Sequence, residues 1–248
     1  MGLSRRKFLG RCIGLAGVVT GVSSVNMPSK IAISEEAPKV IFPESKTDIN
    51  LEDYIFLPNH NLYVAKQKAL YKKNWYQTHK ELNKEGARML TIRELVDFLI
   101  LLQSNDVEDG LENKLTESEV ALIRNEILEQ RDPWRAERLD AKFSLSNDQL
   151  YINYNHRMVD DKLEPQNTEL LEDCLMEDKR ISLDYWLKNA TNQGLPPSNT
   201  PDGDLWYWHP SNNTVVGFDA LAIGADLSCS RAPQNSSVAF GVRRAREK

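Results

Sequence analysis

Thr214-Val-Val-Gly-Phe-Asp-Ala-Leu-Ala-Ile-Gly-Ala-Asp-Leu-Ser-Cys-Ser-Arg-Ala-Pro-Gln-Asn-Ser236 is the stretch on which the fold turns. Val216, Phe218 and Ala220 alternate with Gly217, Asp219 and Leu221. Further on, Ala225, Leu227 and Cys229 alternate with Asp226, Ser228 and Ser230. A period of two sends successive side chains to opposite faces of an extended chain. Each run therefore predicts a strand with one apolar face in a core and one face in solvent. Just upstream, Trp206-Tyr-Trp208 reads as a strand with both indoles on one face. Core packing is the expectation for that pair, and a stacking platform for ligands is the alternative.

Ahead of Asp204 the spacing is mainly helical. Leu62, Val64, Ala65, Ala69 and Leu70, in a charged stretch over 62–87, predict a helix with an exposed face. Thr91 and Glu94 form a capping-box pattern, and Leu95, Phe98, Leu99, Leu101 and Leu102 supply an apolar face, so a helix is expected from Ile92 to Leu102. Thr116 and Glu119 open a second, ending near Gln130. Gln149–Tyr154 alternates like a strand, while Leu170–Cys174 and Leu183–Leu187 read as short helical pieces. Gly194 to Pro201 is a loop by its helix breakers.

The chain has 248 residues, a net charge of −5 and 41% hydrophobic residues, enough to bury a core. The acidic balance gives no footprint for nucleic acid. The N-terminus carries Arg5-Arg6, then Phe8-Leu9, an apolar stretch from Ile13 to Val22 and small residues at Ser23-Ser24. Those are the three parts of an export signal over 1–24, and the arginine pair resembles the twin-arginine class; an uncleaved anchor is the alternative. Residues 25–50, with Pro28, Pro38 and Pro43, read as a linker or extended arm. Folding before export would leave Cys174 and Cys229 as free buried thiols; a bridge between them is the alternative.

Motifs that specify a reaction are missing. The histidines, His60, His79, His156 and His209, have no metal-ligand spacing, and there is no CxxC, phosphate loop or nucleophile elbow. Asp202 and Asp204 read as a turn rather than a calcium loop. Glu164-Pro-Gln-Asn167 departs from the lectin tripeptide Glu-Pro-Asn by the inserted Gln166. No cofactor or metal is assigned.

The frame V-x-x-F-x-A…A-x-L-x-C-x-R-x-P-x-x-S…G-V-R-x-A, carried here by Val215 to Ala245, resembles the variable proteins of diversity-generating retroelements. Gly86-Ala-Arg-Met-Leu-Thr91 followed by Glu94 is similar to the first-helix motif of the same fold. The resemblance implies an α+β, C-type-lectin-like domain of the formylglycine-generating-enzyme type over 51–248. A helical N-terminal half and a small antiparallel C-terminal sheet are expected. It also implies a non-enzymatic, exported binding protein, receptor- or adhesin-like, at the cell surface or outside the cell. Its ligand would be a macromolecule, a protein or cell-surface component, and it would meet the membrane only through its signal. A formylglycine-generating enzyme or degenerate relative is the alternative, but such an enzyme needs a copper-binding cysteine pair near the C-terminus, and only Cys229 is present there.

Retroelement mutagenesis acts on adenines, and the codons it typically targets cannot become Lys, Glu, Gln, Met or Trp. Those five types occupy 50 of residues 1–210 but one, Gln234, of residues 211–240. Strands and turns are poor in Lys and Glu anyway, which explains part of that deficit. The implied variable, ligand-binding positions are Gly217, Asp219, Leu221, Ile223, Gly224, Asp226, Ser228, Ser230, Ala232, Asn235 and Ser237. The implied scaffold positions are Val216, Phe218, Ala220, Ala225, Leu227, Cys229, Arg231, Pro233, Gly241 and Arg243.

Overall fold

The computed structural model describes residues 49–104 and 106–248; the expected signal at 1–24 and nearly all of the arm at 25–50 lie outside the described residues. Among the described residues the architecture is α+β, built on a ten-stranded, largely antiparallel sheet with four α-helices. Its strands are β1 (Tyr54–Leu57), β2 (Leu62–Ala69), β3 (Arg135–Ser146), β4 (Gln149–Val159), β5 (Lys162–Leu170), β6 (Lys179–Ile181), β7 (Leu205–Trp208), β8 (Val215–Leu221), β9 (Gly224–Arg231) and β10 (Phe240–Glu247). The order across the sheet is β1-β2-β10-β3-β8-β9-β7-β6, with the β4–β5 hairpin branching from the second half of β3. Pairing is antiparallel except at β10–β3 and β7–β9.

Each of the three longer helices starts at a side-chain cap. In α1 (Trp75–Lys84) the box is Asn74 with Gln77; in α2 (Ile92–Gln103), Thr91 with Glu94; in α3 (Glu117–Leu128), Thr116 with Glu119. Ser182 caps the short α4 (Leu183–Asn189). The apolar positions of α2 and α3 bury Leu95, Phe98, Leu99, Leu102, Val120, Ile123 and Ile127 in one core with Val216, Phe218, Leu227 and Cys229 of the sheet. Trp186 of α4 stacks on Phe218 with ring centroids 6.2 Å apart. A second, smaller cluster joins Trp75 and Leu82 of α1 to Met89, Val215 and Val242.

Four expectations need correction. Residues 62–69 form a strand, not the start of a helix running to 87. Leu62 and Val64 are sealed in the core, and the chain turns through left-handed Leu70 (φ 53°) and Lys72 (φ 63°) before α1 begins. Leu170–Cys174 is not helical, because Leu170 closes β5 against Tyr151. The sheet is not small and C-terminal: β10 runs between β2 and β3, tying both ends of the domain together. Helices do not dominate the N-terminal half, which also holds β1, β2 and most of β3. The helix assignments that became α2, α3 and α4 agree with the structure, as do the strands expected at Gln149–Tyr154, at Trp206–Trp208 and in the two alternating runs that form β8 and β9.

The two motifs that carried the resemblance are in contact. Arg88 and Ala245 exchange backbone hydrogen bonds of 2.9 Å in both directions. Arg88 also grips Glu94 with both guanidinium ends, at 2.7 and 2.6 Å, and reaches Glu247 at 3.0 Å. The segment from Gly86 that leads into α2 and the last strand are thus one structural unit.

Candidate functional site

Strand register fixes which side chains share a face, because directly opposed residues project to the same side of a sheet. One row runs Arg180 (β6), Trp206 (β7), Asp226 (β9), Asp219 (β8) and Ala136 (β3). The next runs Trp208, Ser228, Gly217 and Arg138. Four of the expected variable positions therefore do lie on one face with the tryptophans, opposite the core face of Phe218 and Leu227.

That face is not open to solvent throughout. Asp219 is 0% exposed, and Gly217, Asp226 and Ser228 are buried. The expectation of solvent at these four fails: the chain returns over Asp219 and Gly217, and the Trp208 indole reaches Asp226. Arg231 pairs with Asp219, and its guanidinium carbon lies 5.3 Å from the Phe240 ring and 5.8 Å from the Trp134 ring. Arg138 also lies over the Phe240 ring, at 4.4 Å, and donates to the carbonyl of Lys73 at 2.6 Å and to that of Asn235. The carbonyl of Pro233 accepts the backbone N–H of Trp75 at 3.0 Å. Residues 232–239 are thus strapped down by fixed hydrogen bonds.

The remaining seven expected positions are accessible. Ile223 is 63% exposed at the two-residue tip of the β8–β9 hairpin, flanked by half-buried Leu221 and Gly224. Gly224 has a φ of +129°, a conformation that other residues rarely adopt. Ser230 and Ala232 are exposed, and Asn235 and Ser237 are half-buried on the strap. The scaffold positions Val216, Phe218, Ala220, Leu227, Cys229, Pro233, Gly241 and Arg243 are all buried; Ala225 and Arg231 are partly so.

Trp206 and Trp208 are not core residues as expected. Trp208 is 37% exposed and Trp206 is half-buried, their rings nearly parallel with centroids 6.1 Å apart. The buried member is Tyr207, whose hydroxyl donates to the Leu175 carbonyl at 3.0 Å. Arg180 lies over the Trp206 ring at 4.8 Å. The alternation around Tyr207 was visible in the sequence. The side of the strand that faces the core was not, because both possible faces are aromatic.

The electrostatics of the patch are uneven. Asp219 and Asp226 stand directly opposite one another, an arrangement that like charges disfavour. Arg231 serves Asp219 alone. Burial pushes the Asp226 carboxyl up to about 6, and the Trp208 indole N–H, 3.3 Å from Oδ2, opposes that shift. Among the described residues Asp226 Oδ1 and Trp206 Nε1 have no hydrogen-bond partner. Both atoms are sealed from solvent, so the row presents the two indole rings and the Arg180 guanidinium at the surface.

Elsewhere, Cys174 and Cys229 are buried and unbridged, in line with the expected free thiols. Asp202 binds Lys179 at 2.8 Å, and Glu164 to Asn167 lies in β5 paired with β4. Comparison with family models, with curated proteins and with solved structures finds no match to this chain.

Proposed function

We propose that this chain is an exported binding protein that displays a retroelement-diversified surface on a C-type-lectin-like scaffold of the formylglycine-generating type. Its ligand is a macromolecule, a protein or cell-surface component, met at the hairpin tip, the strap and the neighbouring tryptophan pair. One observation carries the reading: within residues 211–240 the scaffold positions are sealed or partly buried, and seven of the eleven implied variable positions stay accessible. Val216, Phe218, Leu227 and Cys229 are locked in the core, whereas Leu221, Ile223, Gly224, Ser230, Ala232, Asn235 and Ser237 are accessible on a rigid support. A fixed support favours binding, since ordering loops on association subtracts from affinity. The contact between the Gly86–Glu94 motif and the end of β10 supports treating the two resemblances as one. No catalysis is assigned. Cys229 lies at 0% exposure with its thiol pushed well up by burial, the opposite of a reactive cysteine.

The test is genomic. The gene should lie near a reverse transcriptase and a near-copy repeat of the bases that encode residues 211–240, differing from it mainly at adenines. A complete gene neighbourhood with neither would overturn the proposal.

A further inference from the structure

Two histidines and an aspartate meet in the interior, away from the sheet face described above. His79 stands on α1, Asp140 on β3 and His156 on β4, so three separate elements converge. One potential ligand atom from each lies within 4.8 Å of the others, and all three residues are buried. Asp140 Oδ2 accepts the backbone N–H of His156 at 2.8 Å, and Oδ1 lies 2.5 Å from His156 Nδ1. The same Oδ1 is 3.5 Å from His79 Nε2. Trp75 closes the cluster, with ring centroids 4.2 Å from His79 and 4.9 Å from His156, both edge-on.

A proton shared between His156 and Asp140 satisfies that pair and leaves His79 out. His79 Nε2 has no hydrogen-bond partner among the described residues, although the side chain is sealed from water. A buried ring nitrogen without a partner is a rarity that a bound ligand would explain. Two imidazoles and one carboxylate are the donor set that zinc and related borderline divalent ions take. An ion would engage all three residues at once, which a proton cannot do.

We propose that His79, Asp140 and His156 form a binding site for a zinc-class divalent ion. Three protein ligands leave one coordination position. A cavity of about 310 Å³ adjoins the cluster and is lined by His79 and His156 together with Asn83, Arg88, Met158 and Leu163, which leaves room for water or a small ligand beside the cluster. As the ion enters, the proton between His156 Nδ1 and Asp140 Oδ1 passes to solvent. The ion pins α1 to the β3–β4 hairpin.

The experiment uses the full chain, stripped with a chelator and then dialysed against zinc. The expected result is one zinc per chain by elemental analysis, a rise in melting temperature with added zinc, and the visible spectrum of four-coordinate cobalt when cobalt replaces zinc. His79→Gln and His156→Gln should each weaken zinc binding by more than about 100-fold, since even partners one step removed from the ion contribute 10–100-fold. His209→Gln, on an exposed histidine paired with Asp178, should change nothing. A wild-type chain that takes up no stoichiometric zinc or cobalt and melts at the same temperature with and without zinc would overturn the proposal, and so would equal binding by the two Gln variants. If a variant does not fold, the wild-type titration decides alone.

Discussion

Asp226 is a buried carboxylate with one weak indole donor for company. Folding lifts its pKa from 3.8 to about 6, so between those values the folded chain binds more protons than the unfolded one. Stability from this group is therefore complete below pH 4, falls as pH rises toward 6, and stays low above it. At about 1.4 kcal/mol per pH unit, the loss is at most about 3 kcal/mol. Asp226→Asn should accordingly be more stable than wild type in urea unfolding at pH 7.5, with the gap closing by pH 4; an equal gap at both would contradict the burial assigned to Asp226. Asp219 behaves differently because it has Arg231. Arg231→Met should cost roughly 3 kcal/mol by leaving a buried carboxylate unpaired, and adding Asp219→Asn should restore most of it. Additive losses in that double-mutant cycle would show that the two side chains do not act as a pair.

Among the elements, the hairpin of β8 and β9 separates fixed from permissive positions. Phe218→Ala or Leu227→Ala removes a fully buried side chain and should cost roughly 2–5 kcal/mol through the cavity left behind. Ile223→Ala and Ser230→Ala, both at exposed positions, should shift stability by less than about 0.5 kcal/mol. Thermal melts of the four variants check this, and early melting of the Ile223 variant would contradict it. Helices α2 and α3 were legible in the sequence because Thr91–Glu94 and Thr116–Glu119 announce their starts. Strand β2 was not, since Leu62, Val64, Ala65 and Ala69 fit either period and Lys66 to Lys68 favour a helix. Nor does any glycine mark the left-handed turn at Leu70 and Lys72. The alternation in β8 and β9 gave the correct two faces but not their exposure. Asp219 is covered by Arg231 and the strap that follows it, and period says nothing about what packs on top.

At the scale of the whole molecule, one sheet gathers residues from both ends of the described chain. Arg180, Trp206, Asp226 and Asp219 form a row only through the pairing of β6, β7, β9 and β8. His79 meets His156 only through the seat of α1 against β4, which is why histidine spacing in the sequence gave no metal signal. The core binds the C-terminal segment into the middle of the sheet, so variation there must spare the buried positions if the fold is to survive. Sequencing the bases that encode residues 211–240 from many independent isolates carrying this gene puts that division to the test. Substitutions should cluster at Leu221, Ile223, Gly224, Ser230, Ala232, Asn235 and Ser237 and arise at adenines, while Val216, Phe218, Leu227 and Cys229 stay fixed. An invariant segment, or substitutions spread evenly over core and accessible codons, would contradict a diversified binding surface.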